Sequence, residues 1–187
     1  RQRQMCIRDR LAGHQQLGQL VVIWDDNKIS IEDDTNVAFT EDVEARYRSY
    51  GWHTQRVDWL RTGDYVEDMK ALNDAIEAAK AETDRPSLIA LRTVIGWPSP
   101  TKQNTGGIHG AKLGGDEVAG LKKAVGFDPE QSFVVDDAVL AYTRKAQERG
   151  EQLRKDWDAA MDAWRSRAEA ETVALYERLE KGELPEG

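Results

Sequence analysis

The feature that most constrains this chain is a pair of short, nearly unbroken apolar runs, QLVVIWD at residues 19–25 and SLIALRT at residues 87–93. Runs of this length suit strands buried on both faces of a parallel sheet. Between them the period changes. Residues 41–50 read as a helix, with Thr40 as N-cap, acidic residues in the first turn and Gly51 just past the end. Residues 52–57 can form a second strand. Residues 65–81 read as a second helix, with Val66, Met69, Leu72, Ile76 and Ala79 on one stripe, and Arg85-Pro86 breaks the chain before the third strand. Strand, helix, strand, helix, strand is a run of βαβ units, for which parallel pairing with right-handed crossovers is expected. Ligands of such sheets bind beyond the carboxyl ends of the strands. Chemistry is therefore sought at Asp25-Asp26-Asn27 and from Val94 onward.

Composition narrows the class. Of 187 residues, 34 are acidic and 26 basic, a formal charge of −8, a poor match for a nucleic-acid groove. No apolar run approaches the roughly 18–20 residues of a membrane span. A single cysteine, Cys6, can make neither an intrachain disulfide nor a structural zinc site. An acidic, cytoplasmic α/β protein is expected, with no nucleic-acid or membrane partner. The first ten residues, RQRQMCIRDR, stand apart: four arginines and one aspartate, no helical or strand period, and no apolar core of a signal peptide. They read as a non-native scar outside the fold.

Residues 96–115 carry six glycines and two prolines without periodicity, a loop long enough to suggest function. Residues 116–125 read as a short helix, and 136–149 as a longer one ending at Gly150. From 151 to 181 a long helix follows, with Leu153, Trp157, Met161, Trp164, Ala168, Leu175 and Leu179 on one face. Its tryptophans read as packing residues, not as a cofactor box. The organisation is thus a scar at 1–10, a partial α/β domain at 11–135 and a helical linker at 136–187.

Two constellations could carry chemistry. Asp25-Asp26-Asn27 offers hard oxygens, which suit Mg²⁺ or Ca²⁺ rather than zinc or copper. The spacing onward fails an EF-hand, since Ile29 and Ser30 stand where a ligand and a glycine belong. Mg²⁺ takes few protein ligands and completes its shell with phosphate and water, so a metal held between protein and diphosphate fits; a polar strand-end turn without ligand fits as well. His109 lies in the glycine-rich loop at the same sheet edge, where imidazole can donate to a phosphate or a sugar hydroxyl. A solvated loop histidine is the plainer reading. Glu32-Asp33-Asp34 reads as a solvated charge run, and His14 and His53 as bland. There is no nucleophile elbow, Walker A loop or zinc-protease motif.

The segment from LAGHQQLGQLVVIWDDNKISIEDD through HTQRVD, together with PSLIALRTVIGWPSPTKQNTGGIHGAKLG and KKAVGFDPEQSFVV, closely resembles the transketolase family of thiamine diphosphate enzymes. The resemblance covers essentially all of the chain from Leu11; Trp24 replaces the tyrosine or phenylalanine usual there. It implies an incomplete thiamine diphosphate-binding fold, α/β with a partial parallel sheet and long C-terminal helices. It implies thiamine diphosphate and Mg²⁺ as cofactors, with Ca²⁺ or Mn²⁺ as substitutes. Asn27 matches the asparagine that closes the family's metal motif and touches the cofactor. Ile29 matches a backbone-carbonyl metal ligand, and His109 a histidine contacting both the diphosphate and the sugar-phosphate substrate. Ile31 and Ile95 match apolar residues near the thiazolium.

The implied activity of the whole enzyme is transfer of a two-carbon ketol unit between ketose and aldose phosphates, in the pentose phosphate pathway, by a homodimer. The G-D-G aspartate of the metal motif would fall just before Arg1, and the glutamate that activates the aminopyrimidine beyond Gly187. No catalytic residue is therefore assigned within the chain, which is expected to be inactive alone. The rival readings are another enzyme of the same fold, such as a dihydroxyacetone synthase, a non-catalytic α/β interaction module, and a Mg²⁺-dependent nucleotide-binding domain.

Overall fold

The structure, a computed structural model, describes residues 2–184, with side chains from residue 7 onward. The chain divides into two compact units, 1–131 and 132–187, each described by itself.

The first unit is built on three parallel strands, β1 (Val21–Asp26), β2 (His53–Asp58) and β3 (Ser87–Arg92), in the order β1-β3-β2. Both outer strands pair with β3 in matching register, Val21 and His53 each opposite Ser87, and Asp26 and Asp58 each opposite Arg92. Among the described residues only β3 has a neighbour on either side, and Leu88, Ile89 and Ala90 are at most 1% exposed. Its side chains alternate between two cores, as the pleat requires. Leu88 joins Ala12, Val43, Tyr47 and Trp52 on one face; Ile89 and Leu91 join Val57, Ala75 and Ala79 on the other. The expectation of a first strand buried on both faces fails among the described residues. β1 is an edge strand, and Ile23 at its centre is 48% exposed.

Helices cover the two faces. α1 (Gln2–His14) and α2 (Val43–Ser49) pack over the Leu88 side, and α3 (Met69–Ala81) over the Ile89 side. Both α2 and α3 start later than expected, α2 at Val43 in place of 41, so that Thr40 is not its cap, and α3 at Met69 in place of 65. The N-caps are Asp42 and Asp68, whose carboxylates accept the N–H of Ala45 and Ala71, so the cap chemistry decides the boundary. The segment read as lying outside the fold is instead helical, and Asp9 within it is 7% exposed. Its carboxylate accepts from the Tyr47 hydroxyl at 2.6 Å and from Arg8, and its carbonyl accepts the Trp52 indole N–H at 2.8 Å. A buried polar anchor leaves no apolar period to read. The Tyr47 hydroxyl is pushed well above the usual phenol range, by burial first and by Asp9 second.

α4 (Gly115–Ala124) follows the glycine-rich loop and completes this unit's helices. The second unit holds α5 (Asp137–Arg167) and α6 (Ala170–Lys181). Gly150 does not end a helix: α5 runs straight through it. The cost of a mid-helix glycine, roughly 0.5–1 kcal/mol, is offset by flanking i,i+4 pairs, Gln147–Glu151, Gln152–Asp156 and Arg154–Asp158. The break falls at Ala168-Glu169, both in extended conformation, after which Trp164 and Tyr176 meet edge to face at 5.4 Å. Gly182 ends α6 in the left-handed conformation. Among the described residues no helix is long and apolar enough to cross a membrane.

Candidate functional site at the carboxyl rim of the sheet

The rim is set where β1 ends and the chain turns sharply. Asn27 folds its side chain back so that Oδ1 accepts the N–H of Ile29 at 3.0 Å, leaving Lys28 between them at φ +65°. A left-handed lysine is strained unless its surroundings fix it. Here the Asp26 carboxylate holds the Lys28 ammonium at 2.8 Å, and the Trp24 ring lies 5.5 Å beneath it. The segment then closes on itself, Thr35 N–H donating to Lys28 O and Ser30 N–H to Asp33 O.

Asp25 and Asp26 are less available as ligands than their position suggests. Asp25 accepts from the Thr93 hydroxyl through a short hydrogen bond and from the Asn27 amide at 3.3 Å. Asp26 is 2% exposed and paired with Lys28 and, at 3.4 Å, Arg56. These carboxylates build the turn. In the run 32–34, Asp33 and Asp34 serve local backbone bonds, to the N–H of Asp34 and Asn36. Of the other two histidines, His53 pairs with Ser87, and His14 ends α1 exposed.

The loop after β3 comes back to this turn. His109 Nε2 lies 3.4 Å from the carbonyl oxygen of Ile29, across 80 positions of sequence. Gly106 lies so close to the same segment that a Cβ there would stand 2.7 Å from Ile31 O, which explains a glycine at that position. Asn104 N–H donates to Ile95 O at 2.9 Å. Asn27, Ile29 and His109 are thus brought together through Ile29. Ile31 is in the same turn, and its side chain is 73% exposed; Ile95 is half-buried at the root of the loop.

The donor set suits a hard cation. Asn27 Oδ1 and Ile29 O are amide-type oxygens at one turn, the first with a lone pair left after its bond to Ile29 N–H. Among the described residues no three His, Cys, Asp or Glu side chains cluster in a way that could hold a metal.

The residue missed by sequence reading is Glu117, in the first turn of α4 and 9% exposed. It accepts from the Ser99 hydroxyl (a short bond), from Thr101 N–H at 2.9 Å and Oγ1 at 2.8 Å, and from Lys102 N–H at 3.1 Å. These donors, Ser99 first, hold its carboxyl down at about 2. Two acidic residues opening a helix look like ordinary dipole complements, so only the loop's serine and threonine hint at this clamp.

Fold and rim together define an α/β domain with a polar turn at the carboxyl edge of a parallel sheet, where such folds bind their ligands, and comparison with known proteins makes the class specific. Residues 8–185 match the family described as transketolase, thiamine diphosphate binding domain, and the chain belongs to that family. It is 52% identical over 177 residues to the transketolase of Mycobacterium tuberculosis strain H37Rv, covering 95% of this chain and 24% of the relative. Against transketolase 2 of Saccharomyces cerevisiae it is 43% identical over 178 residues, 95% of this chain and 25% of the relative. Among solved structures, Pichia stipitis transketolase in complex with sedoheptulose-7-phosphate superposes with a TM-score of 0.83 at 42% identity, over 96% of this chain and 25% of that one. The transketolase of Leishmania mexicana gives a TM-score of 0.83 at 35% identity, over 96% and 26%. The chain therefore spans about a quarter of the length of these relatives.

Proposed function

We propose that this chain is the diphosphate-anchoring part of a transketolase, an enzyme that moves a two-carbon ketol unit from a ketose phosphate to an aldose phosphate. The observation that carries the reading is the meeting of Asn27, Ile29 and His109 at one turn of the sheet rim. In it, Asn27 Oδ1 and Ile29 O hold Mg²⁺, and His109 donates to the diphosphate or to a sugar-phosphate oxygen. Ile31 and Ile95 supply apolar surface toward the thiazolium. Thiamine diphosphate, when bound, supplies the carbanion and electron sink of the reaction; the residues here bind, orient and neutralise. The proposal extends, on the family resemblance, to a cytoplasmic homodimer in the pentose phosphate pathway; the single cysteine fits a reducing compartment. Support for sugar phosphates as substrates comes from the Pichia stipitis complex with sedoheptulose-7-phosphate.

Two oxygens are a sparse metal shell, so the 187-residue chain binds weakly and turns nothing over by itself. The test is calorimetric titration of the chain with thiamine diphosphate in the presence of Mg²⁺. Binding that needs the metal and falls about tenfold or more in Asn27→Ala and His109→Ala supports the proposal. Metal-independent binding, or binding indifferent to both substitutions, overturns it. Ketol transfer by the chain alone would overturn the assignment of chemistry elsewhere.

A further inference from the structure

We propose that Glu117 is the positioning residue for His109: it staples the root of the loop and, through Lys102, sets where the imidazole stands. Its functional meaning rests on the rim reading above; its geometry does not.

His109 is exposed in a long aperiodic loop, and holding such backbone in one conformation costs conformational entropy. An imidazole there stays opposite Ile29 only if the loop is fastened elsewhere. The first fastener is the Glu117 carboxylate. One of its oxygens takes Ser99 Oγ, Thr101 N–H and Lys102 N–H together, and the other takes Thr101 Oγ1. Four donors on one mostly buried carboxylate fix the course of residues 99–102. That course aims the Lys102 side chain across the loop, where its ammonium donates to Lys112 O and Leu113 O, both at 2.9 Å. Lys102 O in turn accepts from the Thr105 hydroxyl at 2.7 Å. The chord from 102 to 113 encloses His109. With Gly106 seated on Ile31 O, the closed loop has one register on the turn at Asn27.

Glu117 touches neither His109 nor the turn, so its effect reaches them through the chord. Two substitutions separate this from a merely stabilising role. Glu117→Gln keeps the shape, with the amide oxygen facing the three donors and the NH₂ group able to donate to Thr101 Oγ1. Lys102→Met removes the chord and leaves the Glu117 clamp intact.

The experiment is NMR on the full chain without ligand, reading nuclear Overhauser cross-peaks between the His109 ring and Ile29, with the His53 ring beside Ser87 as an internal control. The expected result is that Glu117→Ala and Lys102→Met lose the His109 cross-peaks with the His53 signals unchanged, and that Glu117→Gln keeps them. Thiamine diphosphate affinity with Mg²⁺ then falls about tenfold in the first two variants. Persistence of the His109–Ile29 cross-peaks in Lys102→Met, or in a folded Glu117→Ala, overturns the proposal, as does their loss only together with the His53 signals. A wild-type chain that shows the cross-peaks but binds no cofactor would sink the rim reading and leave this inference standing.

Discussion

The two units of this chain are stabilised in different ways. In unit 1–131, a central strand with no exposed face gathers two hydrophobic clusters, and even polar groups such as Asp9, Asp26 and Glu117 are buried and bonded. In unit 132–187, neither long helix has a buried residue, and Leu153, Leu175 and Leu179 are 45–63% exposed. Its described contacts are mostly between neighbours three or four residues apart, joined by the Trp164–Tyr176 ring contact and the Arg165–Glu180 ion pair at 3.8 Å. Tertiary packing makes a rigid platform for a site; local pairing makes a helix and little else. Every candidate functional residue lies in the first unit.

The comparison breaks most readily at Trp52, 2% exposed, edge-on to Tyr47 at 5.0 Å and hydrogen-bonded to Asp9 O. Trp52→Ala is expected to destabilise unit 1 by about 3–5 kcal/mol. Trp157→Ala, at a site 44% exposed, should cost under about 1 kcal/mol. Urea unfolding followed by tryptophan fluorescence and far-ultraviolet circular dichroism reads both, and similar losses at the two sites would erase the contrast. Next in size is Tyr47→Phe, which strips the buried Asp9 carboxylate of its 2.6 Å donor and should cost about 1–3 kcal/mol, seen in the same titration. Gly150→Ala sharpens the other side: the Cβ meets open space, so α5 should gain about 0.5–1 kcal/mol in a helicity melt.

A pH effect separates the units too. The Glu117 carboxyl sits at about 2 in the folded chain against an ordinary 4.5, so the unfolded state binds its proton more readily. Its stabilisation is fully present above about pH 4.5 and is lost as the pH falls towards 2. Acid titration of the loop's amide resonances should show this loss, and Glu117→Gln should flatten it. An unchanged profile in that variant would assign the acid sensitivity elsewhere.

Much of this was legible in the residues. The three strands, their parallel pairing and the rim at Asn27 follow from apolar run length and the βαβ rhythm, and the motif D-D-N-K-I-S-I with I-H-G carried the family resemblance. Three things were hidden. Asp9 contributes to the core through hydrogen bonds, which leave no hydrophobic period. Gly150 reads as a stop, yet helix neighbours on both sides carry α5 through it. Glu117 looks like any acidic residue opening a helix, because its donors lie 15–18 positions away on a loop without periodicity. Sequence patterns report element type and period well, burial less well, as exposed Ile23 shows, and long-range polar contacts poorly.

The most direct test replaces Mg²⁺ with Mn²⁺ and maps where its paramagnetism broadens the NMR spectrum of the chain in the presence of thiamine diphosphate. Broadening centred on the amides of Asn27 and Ile29 and the ring of His109, with α5 and α6 untouched, is the predicted result. Broadening centred on Glu32, Asp33 and Asp34 or on the acidic faces of the long helices, with the Asn27 turn sharp, would contradict the account.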